Sequence, residues 1–110
     1  MTDPGRPETL REKQSRFARM VAALILQAER MHYQVTLGDA FRADTCSHGH
    51  PTSLHRKRLA IDLNLFKEGR YIRTTEGHRP LGEWWESMGG TWGGRFGDGN
   101  HYSLEHQGMR

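Results

Sequence analysis

The chain contains one cysteine, Cys46, among 110 residues. No internal disulfide can staple it, and nothing in its cysteine usage points to an oxidising compartment. It has no apolar run near the ~18 residues that a membrane-spanning helix needs. Its four prolines fall at Pro4, Pro7, Pro51 and Pro80, and none interrupts an expected element. There is no internal repeat, no low-complexity tract and no block of like charge. The 16 basic residues are interspersed with 13 acidic ones for a net charge of +3. Such a charge allows an anionic partner, either nucleic acid or an envelope polymer, or no specific one, and its even mixing along the chain disfavours nucleic acid. The first residues lack the charged start and apolar stretch of a secretory signal, so the expectation is a protein held in the cytoplasm until something releases it.

What is present fits a single small soluble domain. A hydrophobic fraction of 35% and a charged fraction of 26% allow a modest core, to which a bound metal would add stability. Residues 1–8 read as a loose arm, because Pro4, Gly5 and Pro7 oppose regular structure. The domain proper is expected over 9–110. Thr9 and Glu12 have the spacing of a capping box. Leu10, Phe17, Val21, Leu24, Ile25, Ala28 and Met31 then recur at helical steps, predicting an amphipathic helix to about Met31.

The chain is organised around the stretch from Ser53 to Asn64. Leu59, Ile61, Leu63 and Leu65 alternate with Ala60, Asp62 and Asn64, which is the period of a strand with one face in a core. Ahead of it, Tyr33 to Leu37 predicts a short strand that continues or turns at Gly38. Behind it, Glu68-Gly69 marks a hairpin tip and Tyr71-Ile72 the returning strand. Pro80 suits the first turn of a second helix that Gly89-Gly90 ends. Leu81, Trp84, Trp85 and Met88 would form its buried side, with Trp84 in the core and Trp85 partly exposed. The Gly-rich segment from Thr91 reads as a loop, bringing Trp92 close to the site and entering a strand near His101. The predicted architecture is α+β, with helices packed on one side of a mostly antiparallel sheet.

Asp62 projects from the polar face of the central strand, and His55 stands at its entrance. The two can converge on a metal, and a zinc site with an open position needs one more protein ligand. Asp98 and His101, three residues apart beside glycines, are where that ligand is sought. Two imidazoles and a carboxylate make a zinc shell, and a further carboxylate nearby is what metal-assisted hydrolysis needs as a base. Each of the four also has a plain alternative as a surface histidine, a cap or a turn residue. Cys46, His48 and His50 cluster in a polar loop, but their spacing is tight for one ion and solvated loop residues are the default reading.

Ser53-x-His55-x(6)-Asp62, followed by Trp92-Gly-Gly-x-Phe96-x-Asp98-x-x-His101, resembles the VanY-like zinc peptidases. That family includes D-alanyl-D-alanine carboxypeptidases and the L-alanyl-D-glutamate endopeptidases of phage endolysins, and the resemblance spans Val35 to Glu105. It implies a hedgehog/DD-peptidase-like fold with zinc held by His55, Asp62 and His101, and Asp98 as catalytic base. It further implies substrate contacts from Arg42, at the end of a strand ahead of the first motif, and from Ser53. The family usually has Gly three positions after its first His, where this chain has Arg58. The implied activity is hydrolysis of a peptidoglycan stem peptide, first at the L-Ala–D-Glu bond, by a monomeric lysin of the endolysin branch without nucleic-acid or membrane partners. The terminal D-Ala–D-Ala bond is the alternative target. A rival of another class is a nucleic-acid-binding module whose zinc is structural.

Overall fold

The computed structural model describes residues 5–41 and 54–110. Helix α1 runs from Leu10 to Arg30, and its start is set by chemistry visible in the sequence. The Glu12 backbone N–H donates to Thr9 Oγ1 (3.1 Å), and the Thr9 N–H donates to Glu12 Oε1 (2.9 Å). This is the reciprocal capping box, in which each side chain satisfies one donor left over by the helix start. Part of the preceding arm is tied to the helix by two ion pairs, Arg6–Glu12 and Glu8–Arg16. The buried face is narrower than the full apolar pattern, comprising Phe17, Met20, Leu24 and Ala28. Leu10 is exposed, and Val21 and Ile25 are half-buried.

The sheet is antiparallel throughout, in the order β1 (Gln34–Leu37), β2 (Ala60–Lys67), β5 (His101–Ser103), β4 (Thr91–Trp92). Strand β3 (Arg70–Tyr71) returns from the Glu68-Gly69 turn and pairs with the end of β2. The alternation read from β2 is the one found. Leu59, Ile61, Leu63 and Leu65 are buried against the helices, while Asp62 and Asn64 lie on the other face and keep partial exposure. Strand β4 was expected as loop; it is two residues long and pairs Thr91 with Ser103 and Trp92 with Tyr102.

Helix α2 spans Arg79–Ser87 and carries Pro80 in its first turn. Its buried residues are Leu81, Gly82 and Trp85, which corrects the expected assignment of the two tryptophans. Trp85 is fully buried and Trp84 only partly, with Met88 exposed. The reason lies outside the helix. The Trp85 indole N–H donates to two carbonyls, Thr91 O (3.1 Å) and Ser103 O (3.0 Å). Its ring also meets Phe17 and Tyr102 edge-on, at centroid distances of 5.9 and 6.2 Å. An indole that finds both acceptors and aromatic edges gains more from burial than one facing only aliphatic neighbours. Trp85 is therefore the pin joining α1, α2, β4 and β5.

Candidate metal centre

The register between β2 and β5 places Asp62 directly opposite His101. Asp62 spends its backbone groups on the other neighbour: its N–H donates to Asp39 O (2.8 Å) and its carbonyl accepts from Gly38 N–H (2.7 Å). With respect to β5, Asp62 and His101 are thus a non-hydrogen-bonded pair, the type whose side chains approach most closely. Directly opposed residues share a face, so both point away from Ile61, Tyr102 and the core.

His55 reaches the same spot from a short 3₁₀ turn, Leu54–Lys57, in which Leu54 is anchored in the core. The turn closes through Leu59 N–H to Leu54 O (3.0 Å). Arg58 carries the chain into β2 with φ +55°. This left-handed conformation is the one a glycine accepts readily, so the Gly of the family pattern marks a backbone requirement that Arg58 meets at the cost of strain. The Arg58 guanidinium lies 4.1 Å from the centroid of the Phe41 ring, a compensating contact. Arg58→Gly should therefore change the melting temperature little, since relief of strain offsets the lost stacking and the added chain entropy. Arg58→Val should lower it by several degrees, because a branched side chain is poorly accommodated at this φ.

The three side chains converge. Asp62 Oδ1 lies 3.2 Å from His55 Nε2 and 3.7 Å from His101 Nδ1, and the two imidazoles stand 5.3 Å apart at 73°. One candidate ligand atom from each falls within 4.8 Å of the others. A tetrahedral zinc shell with bonds of ~2.0–2.1 Å sets its ligand atoms ~3.4 Å apart, and the two Asp62 distances straddle that value. Both histidines are buried. Asp62 Oδ1 and His101 Nε2 are buried without a hydrogen-bond partner among the described residues. A buried carboxylate oxygen this close to two ring nitrogens is an arrangement that a cation held between them would complete. Burial works to raise the Asp62 pKa, but the facing His101 and His55 outweigh it and hold the carboxyl at about 2. It is ready as an anionic ligand at any ordinary pH. The residues present fit a zinc ion.

Asp98 and His101 are delivered by one short turn. A 3₁₀ segment, Gly93–Phe96, ends at Gly97 in the left-handed region (φ +80°). The Asp98 N–H then donates to Gly93 O (2.8 Å), and the His101 N–H to Asp98 O (3.1 Å). The Asp98 carboxylate is 53% exposed, with Oδ2 3.9 Å from His101 Nδ1. It stands at the edge of the trio, open to solvent. Trp92 is buried beneath this turn, donating its indole N–H to Gly99 O (2.7 Å).

The structure thus brings His55, Asp62 and His101 together with Asp98 beside them. Arg42 and Ser53 lie outside the described residues, as do Cys46, His48 and His50.

His78 carries no signal in the sequence, where it sits in a polar connection between Thr74 and Pro80. It is buried, with Nδ1 2.9 Å from the Tyr102 hydroxyl. Burial raises the Tyr102 pKa, so its O–H stays protonated beside the ring. Burial also pushes the His78 pKa down to about 4. An unfolded histidine titrates near ~6.5, so the unfolded chain takes up this proton first on acidification. The contribution is complete above that pH and is lost as pH falls toward 4, amounting to about 3 kcal/mol. Thermal melting in chelator should show stability declining across this window, with a flatter profile for His78→Gln.

A His–Asp–His trio with an exposed carboxylate at its edge, on an antiparallel sheet backed by two helices, is a layout that suits a single-metal hydrolase. A family model described as D-alanyl-D-alanine carboxypeptidase matches residues 47–104, more than half of the chain and including all four site residues. The chain belongs to that family. Membership supports a peptidase acting on peptidoglycan, and peptidases of this family are zinc-dependent. The match begins after Arg42, so the substrate role expected of that residue has no support from it. No curated protein matches the chain.

Proposed function

We propose that the protein is a zinc peptidase that hydrolyses the L-Ala–D-Glu bond of peptidoglycan stem peptides, acting as a phage or prophage lysin. The observation that carries the reading is the convergence of His55, Asp62 and His101 with an exposed Asp98 beside them. Zinc, when bound, supplies a Lewis acid for the scissile carbonyl and makes water a stronger nucleophile at neutral pH. His55, Asp62 and His101 hold the ion, and burial of the two imidazoles keeps them in place. Asp98 takes the proton of the attacking water on its carboxylate and returns it to the leaving amine. Arg42 and Ser53 bind the substrate, by analogy with the family pattern. The net charge of +3 favours an anionic wall. Among the described residues no helix is long and apolar enough to cross a membrane. The protein would act as a monomer, waiting in the host cytoplasm until the membrane is breached.

The family description itself favours a second reading, release of terminal D-Ala by the same residues. Digestion of purified peptidoglycan followed by mass spectrometry separates the two. New amino termini at D-Glu support the endopeptidase reading. Release of free D-Ala without them replaces it with the carboxypeptidase, and no cleavage of either bond overturns both.

A further inference from the structure

We infer that Arg73 is a specificity residue of this site, receiving the carboxylate borne by the same carbon as the leaving amine. The inference rests on the peptidase reading above and adds a substrate contact to it. A cleft of about 230 Å³ lies between the segment that follows β3 and the 97–100 turn. Asp98 forms part of its wall and also lies 3.9 Å from His101, so this one residue links the cleft to the trio. Its volume is below the ~300–1,000 Å³ of pockets that enclose a whole ligand, which suits a subsite for one residue. The lining is polar, with Thr74, Thr75 and Asn100 among its residues. The walls are fixed against each other: a Cβ on Gly99 would sit 2.5 Å from Thr75 Cα.

Arg73 is the only arginine or lysine lining this cleft among the described residues. Other arginines of the domain are neutralised, Arg79 by Glu76 and Glu83, and Arg95 by Glu86. Glu76, the acid nearest Arg73 in sequence, is taken by Arg79 through bonds of 2.7 and 2.8 Å. Arg73 itself forms no ion pair with any described residue, Asp98 included. An unneutralised guanidinium in a polar cleft is a receptor for a carboxylate, which it can engage through two parallel hydrogen bonds.

The position of Asp98 decides which carboxylate. Asp98 gives its proton to the leaving amine, so the group beyond it, in the cleft, belongs to the released residue. In a stem peptide continued through its side-chain carboxyl, D-Glu presents a free α-carboxylate beside that amine. A terminal D-Ala presents one in the same place. The same contact thus serves either bond.

The test uses the full chain and the peptide L-Ala–D-Glu–L-Lys, joined through the D-Glu side chain, with the α-carboxyl free or as the carboxamide. The wild type should prefer the free acid in kcat/KM by about 10–100-fold, the usual worth of a charge-assisted pair. Arg73→Gln should bring the acid down to the level of the amide while leaving amide hydrolysis and zinc content unchanged, and Arg73→Lys should keep part of the preference. An equal fall on both peptides, or no preference in the wild type, overturns the assignment. A readout free of catalysis is NMR titration with the product dipeptide D-Glu–L-Lys and its α-amide. The acid should bind the wild type more tightly, and Arg73→Gln should bind both alike; equal binding to the wild type overturns the inference. Arg73-dependent binding in a chain that cleaves neither peptide would reject the peptidase reading, and with it the specificity role, leaving Arg73 only as a carboxylate receptor.

Discussion

Asp98→Asn is expected to lower turnover by roughly 10²–10⁴-fold, the range a positioned general base contributes, while zinc content stays near one per chain. The substitution keeps the size and the hydrogen-bonding reach of the side chain but removes its ability to accept a proton. Asp98 is the most exposed of the four site residues, and its Oδ2 is 3.9 Å from His101 Nδ1, so it is not needed to complete the trio. His101→Ala should behave differently, losing zinc and activity together, because two ligands hold the ion poorly. Melting gives an independent readout, since zinc should still raise the melting temperature of Asp98→Asn, as binding only to the folded state requires. Purification of Asp98→Asn without zinc would make Asp98 a ligand and remove the base from the mechanism.

Gly93→Ala is the second substitution expected to have a large effect, although it adds a single methyl group. A Cβ there would lie 2.2 Å from Asp98 O and 2.7 Å from His101 Cβ. The first neighbour is backbone and cannot swing aside. The turn that carries Asp98 and His101 must move instead, at a cost of about 1–3 kcal/mol for overpacking. Functional geometry tolerates only about 0.5 Å of displacement, so His101 should leave its place opposite Asp62. Zinc affinity measured by calorimetry should fall at least tenfold, and activity further. Gly97→Ala is the control: its φ of +80° makes a side chain strained, but nothing lies within 4 Å of the added carbon. It should lose some stability and keep its zinc.

The contrast between these glycines shows where the sequence stops being readable. The strand from Ala60 to Lys67 declared itself because its alternation is a local property, and the Thr9–Glu12 cap likewise needs only three residues of chain. Asp62 and His101 could be proposed from residue type and motif, since the face of Asp62 follows from alternation alone. Their pairing, by contrast, depends on register between strands far apart in sequence. The choice between Trp84 and Trp85 depended on acceptors supplied by Thr91 and Ser103, which helical periodicity does not encode. His78 was hidden for the same reason: its burial comes from Tyr102, on another element. Arg58 is the instructive intermediate. Its departure from the family pattern was plain in the sequence, and the positive φ supplies the physical reason for the usual glycine.

X-ray absorption at the zinc edge of the metal-loaded chain tests the central claim most directly, because it reads the atoms bound to the ion. The account predicts one zinc surrounded by nitrogen and oxygen at ~2.0–2.2 Å, with the scattering signature of two imidazoles and no sulfur. That signature should disappear in His55→Ala and His101→Ala and persist in Cys46→Ser. A sulfur neighbour at ~2.3 Å, lost in Cys46→Ser, would place Cys46 in the shell and contradict the assignment of the His55–Asp62–His101 trio as the zinc site.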